Sequence, residues 1–321
     1  MKCSLITLTA LAVTAVVAVP ASAAAPTISL KPAKIERGAD ASGPHVVGST
    51  IRDGDTRVTV RWPNVSLLGT SGTAYVVAVS KKDGSHAKVL RVRPSGRTST
   101  LATGRDASNV VLSADGSELL SSPWASRKST TIKVLDARTG DLVEKRTFPG
   151  SASVLAADAG RAVIGSWGPN RTLWWDYTTD ETRRISKRVG YAADIAADRV
   201  ASYTGDPYDG GCSVVTDLGA HPSRLWRSCD ERVEEFSPSG SRIATVDILS
   251  DGIGPGRVSA RRTDGGKLLA SYDASGWFGL LRWESNTALL LDTYGTKKWA
   301  TIRCTAGTCD RASTLRPTPA Y

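Results

Sequence analysis

A short turn sequence recurs six times along the chain between strand-like segments, centred on Gly96, Gly140, Asp180, Gly219, Gly265 and Gly307. The intervals are 44, 40, 39, 46 and 42 residues. No helical periodicity intervenes. A period in this range, built from strands alone, implies an all-β fold whose repeats are four-stranded antiparallel sheets arranged as the blades of a β-propeller.

Each unit reads as an inner strand, a tight turn, a second strand, a variable loop, a third strand, the marked turn and an outer strand. In unit two, Asn109 to Leu112 is the inner strand, Ala114-Asp115-Gly116 the turn, and Ile132 to Leu135 alternates apolar and polar residues as a half-buried strand should. Unit five repeats the plan with Val233 to Phe236, Pro238-Ser239-Gly240, Arg242 to Val246, Arg257 to Arg261 and Lys267 to Tyr272. Six complete units run from about 64 to 315, and strand-like stretches at His45 to Ile51 and Arg57 to Trp62 remain, joined by an Asp53-Gly54 turn. With residues 27–37 they would build a seventh, atypical blade, or a strand that helps close the ring. Seven blades are favoured over six.

Phe236-Ser237-Pro238-Ser239-Gly240-Ser241-Arg242-Ile243-Ala244 resembles the inner hairpin of the WD40-like repeats of TolB-type propellers, and Leu112 to Ser117 matches it in part. Units three, four and six depart from the pattern. Trp175-Asp176 ends a third strand where WD40 repeats carry their dipeptide. The resemblance implies a propeller and a protein-interaction platform. Its residues are turn chemistry and carry no activity.

Residues 1–23 read as a secretory signal: Lys2, an uncharged Ser4 to Val19 run, then Ala21-Ser22-Ala23 as the cleavage site. An irregular segment, 24–44, precedes a single domain at 45–317 and a short tail at 318–321. The implied protein is secreted, extracellular or envelope-associated, without a transmembrane anchor, and monomeric. Four cysteines remain after the signal: Cys212, Cys229, Cys304 and Cys309. Paired positions of an antiparallel hairpin sum to a constant. Cys212 and Cys229 are symmetric about the turn at Gly219 to Pro222, and Cys304 and Cys309 about Ala306-Gly307. Disulfides 212–229 and 304–309 follow. No Cys-x-x-Cys and no histidine at ligand spacing argue for a metal site.

The net charge of +10 falls to +9 without Lys2 and is spread over all units. It suits attraction to an anionic cell-wall or glycan surface, or to an envelope protein. No run of five basic residues exists, so nucleic acid is a poor partner. His45, His86 and His221 lack the neighbours of a catalytic triad. Aligning the units puts Val111, Val154, Asp194 and Glu235 at one inner-strand position facing the channel. Asp194 and Glu235 are therefore the acid pair of an alternative reading, an enzyme acting on polysaccharide or cell wall. The favoured reading is a binding scaffold without catalysis. Its ligand face is the loop side of units three to five, using Trp167, Asp206, Tyr208, Asp209 and Asp251. The loops Thr204 to Gly211 and Ser250 to Gly256 are long and glycine-rich. Their aspartates have the chemistry to hold calcium, but the alternation of a calcium loop is missing. Trp124 and Trp299 lie in or beside same-face loops, whereas Trp174, Trp175, Trp226 and Trp283 are expected to pack between blades.

Overall fold

The computed structural model describes residues 24–123, 128–219, 221–305 and 307–319. The proposed signal segment and Trp124 lie outside the described residues. The strands form seven antiparallel sheets set around a channel, so the chain is a seven-bladed β-propeller. Units one to six are blades two to seven, and the marked turns join the third and outer strands of each. The inner strands of blades two to seven are Asn64–Ser71, Val110–Leu112, Ser151–Asp158, Val189–Asp194, Glu231–Phe236 and Trp277–Trp283.

Blade one has three strands, His45–Val47, Thr50–Asp53 and Thr56–Thr59. The stretch read from sequence as one strand, His45 to Ile51, is a hairpin folded at Gly48, whose φ of +68° favours glycine. Residues 27–37 do not enter this blade. Thr27–Leu30 instead adds in parallel to the outer strand of blade six, pairing with Ser271 to Ala274. Arg37 then bridges Arg311 on the outer strand of blade seven. The N-terminal segment is thus an external strap over two blade edges, leaving blade one without a fourth strand.

Each junction from blades one–two to six–seven has its own apolar core. Trp175 and Phe148 anchor blades three–four, stacked edge to face at 5.4 Å. Trp226 lies between blades five and six, and Phe278 with Leu289 and Leu291 between six and seven. Trp174 and Trp283 pack partly buried against the cores of blades four–five and six–seven. The strap-side cluster near the blade seven–one seam holds only Ala41, Leu290 and Ala312.

Both predicted disulfides are present, Cys212–Cys229 and Cys304–Cys309. Ser213 pairs with Ser228, one step inside the first bridge, and Cys304 pairs directly with Cys309. Trp175-Asp176 does end a third strand, and Asp176 caps the following turn by accepting from the Thr178 and Thr179 amides. Asp136 does the same in blade three for Arg138 and Thr139.

Candidate functional site

The loops between second and third strands open on one face of the ring, the tight turns on the other. On the loop face, Asp206 caps a short turn at Pro207–Asp209 by accepting from the Tyr208 amide at 3.0 Å. This projects Tyr208 outward, 69% exposed. Its hydroxyl donates to Asp251 Oδ2 at 3.2 Å, joining the loops of blades five and six. The Asp251 charge in turn raises the Tyr208 pKa. Asp209 stands in the same turn, its amide donating to the Asp206 carbonyl. Four of the five loop-face residues read from sequence therefore form one cluster.

That cluster is acidic and partly apolar. Among the described residues no ion pair reaches Asp206, Asp209, Asp247 or Asp251. Leu249 and Ile253 flank Asp251 and are 44% and 58% exposed. Beside them a groove of about 290 Å³ runs between the Ser250–Pro255 loop and Phe278 to Leu281 of blade seven, bordered by Arg232 and Glu234. Arg232 pairs with Glu234 and donates to the Ser250 carbonyl at 2.9 Å, fixing the base of the loop. Among the described residues no group of three or more His, Cys, Asp or Glu gathers closely enough to hold a metal ion.

Trp167 stands apart. It ends the second strand of blade four, 40% exposed, and no hydrogen bond or ring contact among the described residues joins it to the Tyr208 cluster. It lines a separate cavity of about 330 Å³ at the channel, with Tyr191 on the neighbouring blade five. Tyr191 was missed by sequence reasoning. It stacks on Tyr203 at 4.1 Å, bonds Ser213 and accepts from the Val233 amide at 2.9 Å, so it cross-links blades five and six. Trp299 is in a third aromatic group, stacked on Tyr294, which stacks on Trp277.

The acids of the channel do not occupy one repeat position. Asp194 pairs with Arg199 at the mouth of the inner turn, level with Ser237, which pairs with Arg242. Glu235 pairs with Ala244 two residues deeper, level with Ala192. The inner turns of blades five and six have the same length and their bulges at Tyr191 and Glu234 match, so the slip comes from the turn's own sequence: Ile195 to Asp198 holds no glycine or proline to mark where it begins, unlike Pro238 to Ser241. Asp194 and Glu235 nevertheless line one cavity of about 180 Å³ with Leu155, Ala192 and Phe236. Burial, reinforced by the Asp194 charge, pushes the Glu235 carboxyl up to about 7. Asp194 Oδ1 is committed to the turn, accepting from the Ala197 amide at 2.9 Å.

No family model and no curated protein matches the chain. Solved structures match it by fold. The β-propeller domain of the Trilobed protease from Pyrococcus furiosus, which has an open velcro topology, is 12% identical with a TM-score of 0.60, the alignment covering 88% of this chain and 96% of that domain. Pyrococcus horikoshii acylaminoacyl peptidase is 11% identical with a TM-score of 0.60, over 83% of this chain and 47% of that one, so this chain matches less than half of the peptidase. An uncharacterised protein from Listeria monocytogenes is 14% identical with a TM-score of 0.51, over 92% and 88%. At these identities the likeness is one of fold.

Proposed function

We propose that this protein is a secreted, non-catalytic binding scaffold at or outside the cell envelope, and that the loop face of blades five and six docks a basic segment of an envelope protein. One observation carries the reading. In a chain of net charge +10, these loops leave Asp206, Asp209 and Asp251 without ion pairs beside exposed Tyr208, Leu249 and Ile253. Unpaired acids around apolar anchors suit a partner with cationic and apolar side chains, steered by charge and held by the anchors. The same acids would repel an anionic glycan or wall polymer, so any such attraction belongs to other surfaces. Two disulfides support an oxidising compartment, and no helix among the described residues is long and apolar enough to cross a membrane.

The test is binding of the oxidised protein to envelope fractions across a salt series. Saturable binding that survives a few hundred millimolar salt, and weakens about tenfold or more with Tyr208→Ala plus Asp251→Asn, is expected. Equal binding by the double variant sinks the reading.

The raised Glu235 carboxyl favours a second reading, an enzyme on polysaccharide using Asp194 and Glu235. It ranks lower. The cavity of about 180 Å³ is smaller than the roughly 300 Å³ at which ligand sites begin, and Asp194 already serves its turn. Polysaccharide cleavage lost in Glu235→Gln would reverse this ranking.

A further inference from the structure

The cavity at Trp167 belongs to neither reading. It lies where the inner strands of blades three, four and five begin, at the loop end of the channel, and encloses about 330 Å³. Its floor is backbone. Gly165 of blade four and Gly190 of blade five approach so closely that a Cβ on Gly165 would lie 2.0 Å from the Gly190 carbonyl oxygen. Leu155 on one side, the Trp167 indole and Tyr191 make the apolar walls, and Asn109, Ser151 and Ser153 the polar one.

The polar groups are held in place. Asn109 Nδ2 donates to the Ser122 carbonyl at 3.0 Å and to Ser122 Oγ at 2.9 Å, and reaches Ser153 Oγ at 3.3 Å. With its nitrogen so engaged, the Asn109 carbonyl oxygen remains an acceptor. The side chains of Ser151 and Trp167 hold no hydrogen bond among the described residues, although the two residues pair through their backbones and Trp167 carries an indole N–H. The site thus offers hydroxyls that donate or accept, one fixed acceptor and an aromatic face.

Each ligand class meets a different fate here. No lining residue carries a charge, so a phosphate, carboxylate or ammonium would find no counter-ion. An anion would also feel Asp194 and Glu235, whose cavity shares the Leu155 wall. A wholly apolar ligand would leave the hydroxyls and the amide dry. A neutral sugar ring satisfies both kinds of wall, with C–H faces for the indole and hydroxyls for Asn109, Ser151 and Ser153. The volume stands at the low end of ligand sites, roughly 300–1,000 Å³, so the cavity takes in one or two rings of a chain whose remainder stays in solvent. We infer that this channel cavity binds a neutral saccharide, stacked on Trp167 and hydrogen-bonded by Ser151, Ser153 and Asn109.

Calorimetric titration of the oxidised full chain with chitotriose, cellotriose and maltotriose, and with trigalacturonate as the anionic comparison, tests this. At least one neutral trisaccharide should bind, with trigalacturonate weaker by about tenfold or more. Trp167→Ala should weaken binding about tenfold, Trp167→Phe far less, and Tyr208→Ala not at all. Near-UV circular dichroism checks that each variant is folded. The inference is overturned if the folded protein binds no neutral trisaccharide at about 10 mM, if Trp167→Ala binds as well as the parent, or if trigalacturonate binds best. Because Tyr208→Ala probes the other face, failure here leaves the protein-docking reading standing, and the reverse holds too.

Discussion

The junction between blades three and four and the seam between blades seven and one solve the same problem with different forces. At the first, Ile132, Val134, Ile164 and Trp175 are fully buried in a continuous core. At the second, the nearest buried apolar cluster is Ala41, Leu290 and Ala312, and polar groups carry the load. Arg303 is the hub. It pairs through two hydrogen bonds with Glu284, at 2.5 and 2.9 Å, and reaches Asp310 at 3.1 Å. It also donates to the carbonyls of Ala39 and Asp40 in the strap, while Glu284 accepts from the Ser42 amide. Blade one is then held by contacts such as Arg52 to Asp40 at 4.0 Å. A repeat can reuse one apolar design between successive blades. The place where the chain's two ends meet has no such repeat on both sides, and here directed bonds do the joining.

The largest effect should come from the apolar side of the comparison. Trp175→Ala removes the biggest fully buried side chain and should cost about 3–5 kcal/mol by chemical denaturation. Arg303→Ala strips the half-buried Glu284 of two charge-assisted hydrogen bonds, and should cost about 3 kcal/mol. Pairing Arg303→Met with Glu284→Gln should restore much of that loss, which no core variant of Trp175 allows. If Arg303→Ala leaves the melting temperature unchanged, the seam is not held as described. Among the staples, removing Cys212–Cys229 should cost about 3 kcal/mol and Cys304–Cys309 about 2, because the first closes the longer loop.

Acid should separate the two regions further. The Arg303 guanidinium and the Ser42 amide hold the Glu284 carboxyl down to about 2, against an ordinary 4.5. Its folded pKa is depressed, so the seam's stabilisation is present above 4.5 and fades as pH falls towards 2. Denaturation midpoints across that range should fall more steeply in the parent than in Glu284→Gln. Glu235 has the opposite sign. With its folded pKa raised from 4.5 to about 7, it costs stability as pH rises through that interval, and Glu235→Gln should stabilise at pH above about 7 but not near 4.5. The smallest effect belongs to the exposed loop face. Tyr208→Ala should change stability by under about 0.5 kcal/mol, so that any loss of binding reports the surface itself.

The outer turns were legible because their chemistry is local. Glycine or aspartate at Gly96, Gly140, Asp180 and Gly265 adopts positive φ, a demand that sequence displays directly. The disulfides were legible for a related reason, since hairpin symmetry turns position into pairing. Of the two roles the sequence left open, the one that placed residues 27–37 in blade one fails, because a parallel strand on an outer edge depends on a partner some 240 residues away, and Thr27–Leu30 carries no sign of which edge. The channel acids slipped by two positions because the blade-five inner turn, Ile195 to Asp198, has no glycine or proline to fix where it starts. At the site, loop length and residue type found Tyr208 and Asp251 but not their hydrogen bond, and Trp167 was grouped with them although it lines a different cavity. Tyr191 escaped notice because its role comes from neighbours on two blades.

The strap also sets an order of events in time. Its residues leave the ribosome ahead of the rest of the fold, yet Arg37 bonds the Arg311 carbonyl 274 residues later and Ile35 accepts from Arg311 across 276. Contacts so distant in the chain are slow to form. The first-made part of this fold is therefore the last to dock. Until it docks, the strap is a loose end, and the outer strand of blade six, then that of blade seven, is a bare edge open to other chains.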